Sequence, residues 1–210
     1  LIATAAAKNG IDTIKSLLLV VVAVYIACIL QILLVHTPLV ALVARKNPLK
    51  FFKDISEAQV VAFTSQSSYG TLPVTIKTLV ENAKVSGNVA SFVAPLGSTM
   101  GMNACGGLYP AIVAIFVANV FKVDLTMYHY ILIVVTTIIS SIGIAGVPGA
   151  ATMSTTVVLS TAGLPIEGMA MVMAVDAIID MMRTLTNVTG TAVTAVVVDE
   201  TEKRKKEKNM

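Results

Sequence analysis

The chain has 210 residues, 56% of them hydrophobic and only 13% charged, with a formal net charge of +3 and a mean hydropathy of +0.84. A soluble domain of this size carries about a quarter charged residues, so the composition excludes an ordinary soluble domain and points to an integral membrane protein built of helices. Long apolar stretches without ten-residue alternating segments argue against a membrane β-barrel.

In chain order, "LIATAAAKNG" reads as the end of a preceding helix or loop (residues 1–9). The chain begins with Leu1 in an apolar patch with no readable signal peptide, so an N-terminal part is expected to precede it. Residues 10–44 read as one long spanning helix, free of Asp, Glu, Lys and Arg from 17 to 44. It ends at the basic loop "RKNPLKFFKD". Residues 48–83 are only moderately apolar, and Ser67-Ser68-Tyr69-Gly70 followed by Leu72-Pro73 breaks their middle. Residues 88–121 are apolar and interrupted at "STMGMNACGG". Residues 127–163 are apolar and interrupted at "SSIGIAGVPGAAT", where Ser140-Ser141-Ile142-Gly143 followed by Val147-Pro148 echoes the first break. A helix over 166–198 follows, then a basic tail, 199–210, containing "EKRKKEK". Cys28 and Cys105 both lie in apolar segments and read as small buried hydrophobes, not as a disulfide framework.

The two echoing breaks carry weight. Non-helical backbone at membrane depth leaves N–H and C=O groups unpaired unless it lines a polar cavity or is buried in protein. Paired Gly/Pro interruptions are a pointer to a transporter's substrate site. The geometry they suggest is a re-entrant hairpin that enters, turns and leaves on the same side. With the Arg45–Lys53 loop in the cytoplasm, two such hairpins put the basic tail there too. Charge alone gives the same result for full spans, so the broken tips decide. The expected fold class is an all-α membrane protein with transmembrane helices and two re-entrant helical hairpins.

The segment "AVDAIIDMMRTLTNVTG" holds the only charges between Glu167 and Asp199. On a helix, Asp176, Asp180, Arg183 and Asn187 share one face with Thr184 and Thr191. Intramembrane charges face an interior and pair with something. One reading is an Asp–Arg pair that fixes helix packing. The other is a site for a zwitterion, with Asp180 receiving an ammonium and Arg183 gripping a carboxylate through its planar fork.

The strings "SQSSYGTLPVT", "GIAGVPGA" and "DAIIDMMRTLTNVTG", in that order, resemble the dicarboxylate/amino acid:cation symporter family, which includes the glutamate transporters. The resemblance covers essentially the whole chain. It implies a transport core over residues 10–198, with helix 10–44, hairpin 48–83, helix 88–121, hairpin 127–163 and helix 166–198. It also implies a multi-pass protein of a bacterial cell membrane, a homotrimer in the full-length parent, contact with membrane lipid and no nucleic-acid partner. Residue by residue, Ser67 and Ser68 resemble the serines that hold the substrate's α-carboxylate. Gly146, Val147, Pro148 and Gly149 resemble the gate tip. Asp180 matches the amino-group ligand and Arg183 the reader of a distal carboxylate. Thr184 and Asn187 match further substrate ligands, and Cys105 is expected to line the substrate. The carbonyls of Ser141, Ile142 and Ile144 fall at one sodium site, and Gly97, Thr99, Gly101 and Asn187 are further sodium candidates.

The chain also departs from the family pattern. The family's Asn-Met-Asp-Gly-Thr motif reads "GMNAC" at 101–105, so Asn103 replaces an aspartate and Cys105 a threonine. Thr191 replaces a late aspartate. Two carboxylates suited to hard cations are gone, which leaves fewer sodium ions, or protons, as coupling ions and no other cofactor. The run from Gly101 to Ala111 resembles the cystine-uptake branch. The expected function is cation-coupled import of an amino acid or dicarboxylate, with L-cystine favoured over aspartate or glutamate. A channel would need rings of charge or carbonyl filters along a pore, whereas these polar groups converge on a point. An enzyme would need a nucleophile with a base. His36 and His129 look unsuited to serve Cys105, Ser67 or Ser68, so no enzymatic activity is expected.

Overall fold

Every element among the described residues is a helix, and none is a strand. The computed structural model describes residues 11–144, 146–147 and 149–209. The expected helix end at 1–9, and Pro148 of the expected gate tip, lie outside the described residues.

The first apolar segment forms α1, Ile11–Gln31, and continues through π-helical turns at Ile32–His36 and Leu39–Val43. The cause of the widening is local. Pro38 has no N–H to donate and its ring crowds the preceding turn. The chain shifts to longer bonds on either side, from the Thr37 N–H to the Ile32 carbonyl and from the Ala44 N–H to the Leu39 carbonyl. Lys15–Val43 is a 29-residue run long and apolar enough to cross a membrane, and Leu18, Leu19, Leu33, Leu34 and Leu42 lie exposed along it.

Asn47 starts the next segment by capping α2 (Pro48–Asp54), accepting the N–H groups of Leu49 and Lys50. Then come α3 (Ser56–Ser65) and α4 (Ser68–Glu81), joined by Gln66 in the left-handed region (φ 55°) and Ser67. The first break is therefore a two-residue turn, and Tyr69, Gly70 and Pro73 lie within α4.

The third segment is α5 (Gly87–Gly97), an open stretch over 98–102, a π-helical turn at Asn103–Leu108, and α6 (Tyr109–Val120). The run Asn103–Val120 is the second one long and apolar enough to span. A Thr126–His129 capping box opens α7 (Met127–Ile142). The second break follows, then α8 (Ala150–Thr161).

The helix expected over 166–198 is instead two helices, α9 (Glu167–Val172) and α10 (Asp176–Lys208). The basic tail is helical through Lys208. The helix α10 packs against α1, α3, α4, α5 and the Asn103–Leu108 turn. One apolar cluster reaches it at Ile179 and another at Ala192, Val193, Ala195 and Val196. Asp180, Arg183, Thr184 and Asn187 lie between those two contacts, so a polar belt separates two apolar lobes.

Candidate functional site: a polar centre where the two breaks meet

The two breaks, far apart in sequence, meet at Gly146. Its carbonyl accepts the Ser67 hydroxyl at 3.2 Å and the Tyr69 N–H at 3.2 Å. Ser67 Oγ in turn accepts the Gly70 N–H at 3.0 Å and so caps α4. A Cβ on Gly146 would lie 2.5 Å from the Ser98 carbonyl and 3.0 Å from the Ser68 Cβ, so only glycine permits this approach.

Beneath this junction, Ser68, Cys105, Val147, Asp180, Thr184 and Asn187 line one small space with Gly146 and Met102. Its volume is ≈ 10 Å³, enough for about one water. Asn187 fixes the floor. Its Oδ1 accepts the Ala104 N–H at 2.9 Å and its Nδ2 donates to Cys105 Sγ at 2.9 Å. Val147 is half exposed, at 48%.

Arg183 is fully buried but is not among the residues lining that space. Its Nη2 lies 2.9 Å from Asp176 Oδ1 and 3.0 Å from Asp180 Oδ1. Its guanidinium carbon sits 3.9 Å from the Tyr109 ring centroid, a cation–π stack. Nε, Nη1 and Nη2 have no hydrogen-bond partner of good geometry among the described residues, so Nη2 meets the two carboxylates as an ion pair. Counted by formal charge, the triad of Asp176, Asp180 and Arg183 is one negative charge in excess, and Asp180 borders the cavity. A partner with a positive charge would be stabilised there, and an anion alone would be repelled.

The sodium candidates fall in two places. The Ser141 carbonyl accepts the N–H groups of Gly101 at 2.9 Å and Met102 at 3.2 Å, so it already has two partners. Ile144 is buried beside Gly106. Gly97 packs against Thr191 closely enough that a Cβ would fall 2.5 Å from Thr191 Oγ1. Gly97 and Gly101 line a second cavity of ≈ 300 Å³ that contains no carboxylate. Thr99 and Ile142 are exposed, and the Thr99 hydroxyl is spent on the Leu96 carbonyl. No group of three His, Cys, Asp or Glu side chains able to hold a metal occurs among the described residues. An alkali cation here would rely on carbonyl, hydroxyl and amide oxygens.

Sequence reasoning missed a contact in that second cavity. His36 Nε2 lies 3.0 Å from Asn103 Nδ2, and both press on Gly190. With its amide nitrogen facing the ring, Asn103 donates to His36 Nε2. The visible signal was a lone histidine in an apolar helix, two residues before Pro38. Tyr109, under Arg183, was missed as well.

The family model described as "Sodium:dicarboxylate symporter family" matches residues 1–201. An uncharacterised symporter of Haemophilus influenzae is 42% identical over 176 residues, 82% of this chain and 39% of that protein. An L-cystine uptake protein of Bacillus cereus is 37% identical over 198 residues, 94% of this chain and 42% of that protein. Excitatory amino acid transporter 1 of Ambystoma tigrinum is 39% identical over 178 residues, 85% of this chain and 33% of that protein. The chain therefore spans about two-fifths or less of the length of these relatives.

Proposed function

This chain belongs to the sodium:dicarboxylate symporter family, and on that premise we propose that it is the transport core of a membrane symporter that imports an amino acid with a coupling cation. The formal excess negative charge of the Asp176–Asp180–Arg183 triad carries this reading. The substrate's ammonium group would meet Asp180, its α-carboxylate the Ser67–Ser68 end of α4, and Thr184 and Asn187 would complete the shell. A dicarboxylate without an amino group would bring two negative charges to a negative site, which favours amino acids within the substrate class. Similarity to the L-cystine uptake protein of Bacillus cereus and the run from Gly101 to Ala111 favour L-cystine.

The transport step is a movement of the second tip. A space of ≈ 10 Å³ cannot admit an amino acid, so Gly146–Gly149 must lift away from Ser67 and Tyr69 and close again. The α3–α4 and α7–α8 pairs act as re-entrant hairpins, with the basic ends cytoplasmic. The whole protein is a multi-pass homotrimer of a bacterial cell membrane. Sodium is the favoured coupling ion, bound as cargo by oxygens of the 98–102 stretch, the second break and Asn187. Protons are the alternative, because the second cavity holds Asn103 and Thr191 but no carboxylate.

The test is uptake of labelled L-cystine into proteoliposomes containing the full-length protein, with unlabelled cystine, aspartate, glutamate and succinate as competitors. Amino acids should compete and succinate should not. Competition by succinate as strong as by any amino acid would overturn the charge argument.

A further inference from the structure

We propose that the Val43 end of α1 and the last turns of α10 form a cradle for the phosphate headgroup of an anionic membrane phospholipid. The proposal goes beyond transport and needs only that α1 crosses a bilayer.

Two elements build the cradle. Arg204 donates to the Val43 carbonyl through Nη2 and to the Glu200 carbonyl through Nε, which ties α10 to the carbonyl end of α1. Beside this tie lies a cavity of ≈ 690 Å³ with Leu42 and Val43 on one wall and Arg45, Arg204, Lys205 and Lys208 around it. Glu207 is the only acid on its lining.

Two neighbouring lysines are neutralised, and these cations are not. Lys46 pairs with Glu200 at 3.2 Å, and Lys203 with Asp199 at 2.6 Å and Glu200 at 3.3 Å. Among the described residues, Arg45, Lys205 and Lys208 have no such pair, and all three are exposed. Arg45 also holds the left-handed conformation (φ 56°) at the end of α1, with the Lys46 N–H returning to the Val40 carbonyl. Glycine usually takes that position because a Cβ is strained there. An arginine in it accepts backbone strain and presents its guanidinium at the cavity.

The apolar wall selects a lipid over a free anion. Leu42 is 75% exposed and lies one residue before the end of the 29-residue apolar run. A phosphodiester held by Arg45, Lys205 and Lys208 would place its first acyl carbons along Leu42 and Val43. Basic residues at a membrane surface each contribute to anionic-lipid binding, and a fixed cluster next to a spanning helix concentrates that effect.

The experiment is native mass spectrometry of the full-length protein in detergent, titrated with phosphatidylglycerol or phosphatidylcholine. Phosphatidylglycerol should bind about tenfold or more tightly. Arg45→Gln/Lys205→Gln/Lys208→Gln should reduce that preference to about twofold, and Lys205→Glu/Lys208→Glu should do the same with Arg45 left intact. Arg204 is kept because it holds the two helices together. Lys50→Gln/Lys53→Gln/Lys84→Gln, which removes equal charge elsewhere, should leave the preference unchanged. Equal loss in the two triple variants would show diffuse surface charge and overturn the proposal, as would no preference in the wild-type protein. Displacement of the lipid by inorganic phosphate at equal concentration would mark a free-anion site and overturn the lipid assignment.

Discussion

The hydroxyl of Ser67 donates to the carbonyl of Gly146 across 79 residues of sequence, at 3.2 Å. With the Tyr69 N–H on the same oxygen, this contact holds the second tip on the N-terminus of α4. Gly146→Ala should prop the tip open, because the new methyl meets the Ser98 carbonyl at 2.5 Å and overpacking costs about 1–3 kcal/mol. The probe is Val147→Cys in a background lacking Cys28 and Cys105, labelled by an impermeant thiol reagent. Labelling should slow when substrate is present, and Gly146→Ala should speed it about tenfold. Equal labelling with and without substrate would count against a moving gate.

Arg183 should set preference for a distal acid. In the proposed role Arg183 turns from Asp176 to a substrate's distal carboxylate, and its removal would take away a charge-assisted bond worth about 2–4 kcal/mol. Arg183→Cys should therefore lose uptake of the native acidic substrate while gaining relative uptake of alanine or serine. Unchanged preference would show that the guanidinium serves only Asp176, Asp180 and Tyr109.

Asp176→Asn tests the charge balance directly. It brings the triad from one net negative charge to neutral without changing its shape. The KM for an amino acid should rise about tenfold or more, since the lost attraction acts across a poorly solvated site. Competition by a plain dicarboxylate should strengthen in the same variant. An unaltered KM would mean that the ammonium does not feel this carboxylate.

Sodium should drive accumulation and a proton gradient alone should not. The measurement is uptake into proteoliposomes under an imposed inward sodium gradient at equal pH, then under an inward proton gradient without sodium. Accumulation in the second arm would reverse the preference. Asn103→Asp restores a carboxylate beside the second cavity, and hard-cation sites tighten with ligand charge. It should lower the sodium concentration giving half-maximal uptake by several-fold.

Asp199 should make the α5–α10 contact acid-sensitive. The side chain is 3% exposed, accepts the Ser86 N–H at 3.1 Å and pairs with Lys203 at 2.6 Å. Burial pushes its carboxyl up, but the bonds from Lys203 and Ser86 outweigh it and hold it below the ordinary value. A depressed carboxyl stabilises the fold above its unfolded value, near pH 4, and that stability is lost as pH falls through the folded value. Asp199→Asn should cost about 1–3 kcal/mol at pH 7 and should flatten the loss of Tm between pH 5 and 3. A Tm that falls as steeply in the variant would assign the acid sensitivity elsewhere.

Much of the architecture was readable because its signals are local. The helical composition, the polar face of α10 and the two broken segments follow from spacing and from glycine and proline chemistry. What was not readable depends on partners distant in sequence. No glycine or proline marks the break at Met173–Val175, which separates α9 from α10. Arg183 could turn toward the cavity or toward Asp176, seven residues earlier, and only packing against Tyr109 decides. His36 and Asn103 are 67 residues apart, and nothing near either predicts the other.

The bifurcated bond at Gly146 also sets a population. Two neutral hydrogen bonds of about 1 kcal/mol each amount to about 2 kcal/mol, so by themselves they would leave the tip lifted about 3% of the time. If substrate enters only then, its apparent affinity is weaker than its intrinsic affinity by that fraction, about thirtyfold. Loosening the latch would then tighten apparent binding until the closed form no longer dominates. The same change would weaken the occlusion that keeps the coupling cation and the substrate moving together. In the proposed carrier, a pair of bonds this weak would sit between two losses, uptake that is slow to load and a carrier that leaks.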